Sequence, residues 1–157
     1  MNSANTPFLV TGASCVPWRA TNLRQLGKDE RFLEQVIGTN PGLLGLEDRR
    51  THIRGRYAAF HQLQLDTPQG RTVYPDIVFL TESGHVIVVE VKLSDNGELG
   101  DRRVVAQVLD YAASLAAYSQ SEIEEAFGGD EGRPFVELVR AKFPGTERAE
   151  ELASVLL

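Results

Sequence analysis

The sequence predicts a mixed α/β domain, on three observations. Two near-continuous runs of β-branched and aromatic residues, DIVFL (76–80) and HVIVVEVKL (85–93), read as central strands covered on both faces. Apolar residues recur at helical spacing in KDERFLEQVIG and, over a longer stretch, in DRRVVAQVLDYAASLAAY. The 157 residues are 42% hydrophobic and free of repeats, enough for one ordinary domain with a sizeable core.

Residues 1–28 carry Pro7, Gly12, Pro17 and Gly27 without a period and read as irregular, with a short strand near residues 8–10. Asp29 then caps a helix whose stripe is Phe32, Leu33, Val36 and Ile37, ended by Gly38 and Asn40-Pro41-Gly42. HIRGRYAAFHQLQLDTPQGRTVYPDIVFL reads as a strand, a turn at Thr67-Pro68-Gln69-Gly70 and a second strand. Phe60, Leu63 and Leu65 mix with polar residues, as in a strand partly exposed on one face.

Between the two apolar runs lies TESGH. A three-residue loop, Glu82-Ser83-Gly84, fits a hairpin closed by a left-handed glycine. That loop pairs Thr81 with His85 and, counting outward, Asp76 with Glu90 on one face. Lys92, two residues further, shares that face. A two-residue turn would put Asp76 on the other side.

SDNGELG reads as a flexible link, after which Asp101 opens the long helix. Its expected buried stripe is Val104, Val105, Val108, Leu109, Ala112 and Leu115, with Gln107 and Tyr111 stacked one turn apart on a polar edge and Arg103 a turn before them. Residues 121–157 read as helical, broken at Gly128-Gly129 and Pro144-Gly145. The expected division is an irregular segment (1–28), a core (29–118) and a helical extension (119–157).

Composition narrows the function. A formal charge of −6 disfavours a general polyanion binder, although Arg49, Arg50, Arg54 and Arg56 with His52 form a basic stretch that suits either a solvated loop or a local anion surface. The one cysteine, Cys15, excludes an internal disulfide and a Cys-rich zinc site. His52, His61 and His85 lack zinc-ligand spacing, no Gly-rich phosphate loop is present, and Ser14 lies in no nucleophile elbow. With no apolar run of about 20 residues and no secretory leader, a cytoplasmic protein without a membrane partner is the default.

Asp76, Glu90 and Lys92 interrupt apolar strands, where charge is expensive. Three readings compete: a solvated sheet face, a buried ion pair built on Lys92, and a site for a hard divalent cation. Desolvation offsets most of what a buried ion pair gains. Magnesium, by contrast, takes one or two carboxylates plus waters and leaves positions open for a phosphate. Glu34, beside the apolar stripe of its helix, is the candidate third acid.

Taken together these residues resemble the PD-(D/E)XK nuclease superfamily, the restriction-endonuclease-like fold. The likeness is Pro75-Asp76, thirteen residues, then Glu90-Val91-Lys92, followed by a helix with Gln107 and Tyr111 and preceded by one with Glu34. It spans residues 29–118. The resemblance implies a core of helix, three strands, helix and a further strand; none is evident between Ser119 and Leu157, as in a chain cut before the final core strand or one with inserted helices. It further implies that Asp76 and Glu90, with Glu34, bind Mg2+ or Mn2+, and that Lys92 assists the attacking water. Gln107 and Tyr111 would support the substrate region, and Arg103, Arg54 and Arg56 are candidates for phosphate contacts. The implied activity is metal-dependent endonuclease hydrolysis of nucleic acid, DNA being favoured over RNA. A homodimer and fusion to further domains are expectations of the same kind. The alternative is a non-catalytic module that keeps the fold for nucleic-acid binding or assembly.

Overall fold

A computed structural model describes residues 8–11, 14–17, 23–47, 52–93, 103–128, 134–146 and 149–155. In chain order the elements are β1 (Phe8–Thr11), β2 (Ser14–Pro17), α1 (Glu30–Thr39), β3 (Tyr57–His61), β4 (Leu65–Asp66), β5 (Thr72–Val73), β6 (Ile77–Thr81), β7 (Val86–Val89), α2 (Arg103–Ala117), α3 (Gln120–Gly128), α4 (Phe135–Lys142) and α5 (Ala149–Val155). The chain is thus mixed α and β, with a small antiparallel sheet. The link at 94–100 and the start of the long helix at Asp101 lie outside the described residues. Among the described residues no helix is long and apolar enough to cross a membrane.

β1 falls where a strand is expected. β2 lies in a segment expected to be irregular. Four-residue strands are too short to show a period, and the pairing of Phe8 with Pro17 through Thr11 with Ser14 is what defines them.

The central sheet has the order β3-β6-β7, all antiparallel. Every residue of β6 is buried, as its continuous apolar run requires. β7 departs from expectation. Among the described residues it has one strand neighbour, so Val86 is exposed and the rest of the strand half-buried.

The first expected strand is broken in two, β3 and β4, facing β6 and β5. Tyr57 pairs with Thr81, His61 with Ile77, Leu65 with Val73 and Asp66 with Thr72, so no residue is gained or lost across the break. Pro75, which has no N–H to give a ladder, and Gln62, at φ 50°, lie in the gap. The turn at residues 67–70 forms as expected, closed by Gly70 N–H on Thr67 O at 2.8 Å.

At the other end the three-residue loop is the one expected. Thr81 N–H donates to His85 O at 2.9 Å, Gly84 N–H to Thr81 O at 3.0 Å, and Gly84 has φ 84°. β6 and β7 pair Ile77 with Val89 and Leu80 with Val86, so Asp76 and Glu90 stand opposite each other one step beyond the ladder.

Asp29 caps α1 by accepting Phe32 N–H at 3.0 Å. The helix lies on the odd-numbered face of the sheet, where the His61 ring packs so tightly on Gly38 that a Cβ there would come within 2.5 Å of it. The even-numbered face, with Ala58, Val78 and Leu80, joins Tyr111, Ile123, Phe127, Phe135, Val139 and Phe143 in one core. Edge-to-face rings at 5.0 Å (Phe60 and Phe127) and 5.7 Å (Phe127 and Phe135) tie the sheet to α3 and α4.

The buried face of α2 is rotated from the one expected. Tyr111 and Ser114 are buried, and Val104, Gln107, Val108 and Leu115 are half-buried beside them. Val105 and Leu109 are each 63% exposed, and Ala112 is exposed as well. Apolar side chains cover two adjacent strips of this helix, and periodicity does not say which strip turns inward.

A polar clamp fixes the turn to the C-terminal helices. The Arg56 guanidinium donates to both carboxylate oxygens of Glu82, at 3.1 and 2.7 Å, and to Pro144 O at 2.9 Å; Thr146 Oγ1 also donates to Glu82, at 2.7 Å. The hydrogen bonds from Arg56 and Thr146 hold the Glu82 carboxyl down at about 2, against 4.5 ordinarily. A depressed carboxylate stabilises the fold above its unfolded pKa, and that stability is lost as pH falls through the folded one. Glu82→Gln is therefore expected to lower the thermal midpoint at pH 7, the gap to wild type closing between pH 4.5 and about 2. Thermal melts across that window check this, and a gap that stays constant down to pH 2 would refute it.

Candidate metal centre

The open end of the β6–β7 hairpin collects the charges that the apolar strands cannot bury alone. Asp76 precedes β6, and its backbone O accepts Gln62 N–H at 3.3 Å. One carboxylate oxygen, Oδ2, accepts Val91 N–H at 2.7 Å, and Oδ1 accepts Gln62 Nε2 at 3.3 Å. The side chain thus takes a backbone donor from the strand opposite, in place of a ladder bond.

Glu90 follows β7. Its Oε1 meets Lys92 Nζ at 2.7 Å, and the two side chains are 4% and 14% exposed. Its Oε2 is buried with no hydrogen-bond partner. Burial raises the Glu90 pKa above the ordinary carboxylate value and Asp76 adds to this, while the hydrogen bond from Lys92 opposes it. Burial works against the Lys92 ammonium, yet its hydrogen bond to Glu90 and the charges of Glu90, Asp76 and Glu30 outweigh that and raise its pKa. Lys92 is therefore a fixed cation at neutral pH and not a base.

Two helices wall this end. On α1, Glu34 is raised in pKa by burial first and by Asp76 second. Among the described residues, however, no three His, Cys, Asp or Glu side chains are gathered closely enough to hold a metal ion. Glu34 therefore does not complete a ready-made carboxylate triad with Asp76 and Glu90. On α2, Tyr111 is buried, and after burial itself the charges of Glu90 and Asp76 are what raise its pKa. Gln107 lies one turn earlier on the same inward strip. Of the pair expected on a polar edge, Tyr111 is therefore buried within reach of the carboxylates' charge, and Gln107 is half-buried. Arg103 is exposed about two turns before Tyr111.

Arg54 and Arg56 are not brought to the carboxylates. Arg54 N–H bonds Ser83 Oγ at 3.2 Å in the hairpin turn, and the Arg56 guanidinium is committed to Glu82 and Pro144. The five residues of β6, roughly 17 Å of strand, separate them from Asp76.

Three neighbours were missed. Glu30 lies one turn before Glu34; its Oε2 is 3.9 Å from Lys92 Nζ, and its Oε1 accepts Leu93 N–H at 3.0 Å. The four-residue spacing to Glu34 was the available signal. His61 reaches α1, where its ring packs on Gly38, one turn after Glu34. Gln62 had no signal, because nothing in a sequence marks a glutamine as left-handed.

The donor set fits a hard divalent cation. Two carboxylates are hydrogen-bonded and opposed, a buried carboxylate oxygen is unpartnered, and magnesium accepts such a pair while keeping several waters. No known protein family, curated protein or solved structure matches this chain.

Proposed function

We propose that this chain is a Mg2+- or Mn2+-dependent nuclease domain of the restriction-endonuclease-like kind, hydrolysing phosphodiester bonds with DNA as substrate. The observation that carries this reading is the buried, unpartnered Oε2 of Glu90, set opposite Asp76 with the Lys92 ammonium on the other oxygen. A carboxylate oxygen is costly to bury without a partner, and a bound cation would supply one.

Asp76 and Glu90 would hold the cation, and Glu34 would reach it through a water. When bound, magnesium or manganese supplies an acidified water and neutralises charge developing on the phosphate. Lys92, held protonated, would donate to a phosphate oxygen brought against Glu90, where a fixed donor is worth most as charge develops. Tyr111 and Gln107 close the site on the α2 side. Because burial raises Glu90 and Glu34, protons compete with the cation above the ordinary carboxylate range, so activity climbs with pH through that interval.

The test is incubation of the chain with plasmid, single-stranded DNA and RNA, each with Mg2+, Mn2+ or EDTA. Metal-dependent cleavage of DNA, suppressed by EDTA, is expected. Cleavage of RNA alone would overturn the substrate assignment, and none in any lane would overturn the enzyme.

One observation favours the second reading, a non-catalytic module. Glu90 Oε1 already closes on Lys92 at 2.7 Å, as in an ion pair that serves only the fold. Calorimetric titration with Mg2+ separates the two, since the module gives no binding heat at millimolar metal.

A further inference from the structure

We infer that Gln62 is a positioning residue that fixes the Asp76 carboxylate, an inference that rests on the metal-nuclease reading above. Gln62 has φ 50°, a left-handed conformation that a side chain with a Cβ rarely adopts. The register is the same on both sides of it, so the conformation does not serve to absorb an inserted residue. If only the backbone turn mattered, glycine would suit this position better.

What the conformation achieves is a double attachment to one residue. The Gln62 N–H bonds Asp76 O and its carboxamide bonds Asp76 Oδ1, both at 3.3 Å. Val91 N–H holds the other carboxylate oxygen at 2.7 Å from the strand opposite. Asp76 is thus gripped at both oxygens by neutral donors, which set the plane of the carboxylate and leave its charge available. Strain held at such a place is characteristic of functional sites. Partners that orient a metal ligand commonly alter its affinity 10- to 100-fold.

Gln62→Gly and Gln62→Ala in the full chain test this, because alanine keeps the strain and glycine releases it. Both variants are expected to bind Mn2+ about tenfold more weakly by calorimetry. In metal-free protein, both are expected to speed hydrogen exchange at the Val91 amide, which loses an ordered acceptor. The thermal midpoint of Gln62→Gly should equal or exceed that of the wild type. Val91 exchange unchanged in Gln62→Gly, or Mn2+ affinity within about twofold of wild type, overturns the assignment. A wild-type chain that binds no Mn2+ at millimolar concentration instead sinks the metal reading, and Val91 exchange alone then decides whether Gln62 orders Asp76.

Discussion

Alanine at Asp76 is expected to cut magnesium-dependent cleavage by at least about 10³-fold, the equivalent of about 4 kcal/mol of lost transition-state stabilisation. The same loss is expected for Glu90→Ala. Each variant removes one of the two opposed carboxylates able to hold the cation, and among the described residues no group of three acids is gathered there to make up the loss. The fold should persist. Asp76 lies beyond the last ladder pair, Ile77 with Val89, and the core below it is built from β6, α2, α3 and α4. Its removal forfeits the bonds from Val91 and Gln62, each worth about 1 kcal/mol net. Cleavage rates and circular dichroism on the same preparations provide the check. Wild-type cleavage by both variants would refute the site.

Lys92→Ala is expected to lower both activity and stability. Lys92 and Glu90 form an enclosed pair, and removing one member of such a pair leaves a buried charge at a cost of about 3 kcal/mol. For a chain of this size that is a fall of roughly 6–12 °C in the thermal midpoint. The pH dependence identifies the cause. Glu90 titrates above its unfolded value of 4.5, so the folded state binds more protons than the unfolded state just above that pH. Stability linked to Glu90 is therefore present below 4.5 and lost as pH rises through the folded pKa. Without Lys92 the folded pKa climbs further, so the variant's deficit is largest at pH 8 and shrinks toward pH 4.5. Denaturant unfolding at both pH values measures it, and an equal deficit at each would mean that packing, not the unpaired carboxylate, is responsible.

What the sequence disclosed depended on whether the determining physics was local. The Glu82-Ser83-Gly84 loop was legible because a glycine at its third position and two unbroken strands allow few registers. From the register followed the facing of Asp76 and Glu90. The Asp29 cap was legible for the same reason: one side chain and one backbone N–H, three residues apart. The inward face of α2 was not. Val105 and Leu109 are more apolar than Gln107, yet they stay exposed, and the strip that turns in is the one on which Tyr111 joins the core from the sheet, α3 and α4. The arginines failed similarly, since composition groups Arg54 and Arg56 with a basic stretch while Glu82 and Pro144, distant in sequence, claim Arg56. The break at Gln62 is a long-range event, set by Asp76 fourteen residues away.

The hairpin tip bears on how this chain can tolerate length change. Exposed loop tips are ordinarily where insertions and deletions are accepted. Here Ser83 is exposed and touches neither carboxylate, yet losing it would shift β7 by one position against β6 and, because side chains alternate with a period of two, turn Glu90 and Lys92 away from Asp76 together. The loop therefore acts as a frame: beyond the clamp at Glu82 and the left-handed Gly84, its count of three residues is tied to chemistry at the far end of the strands.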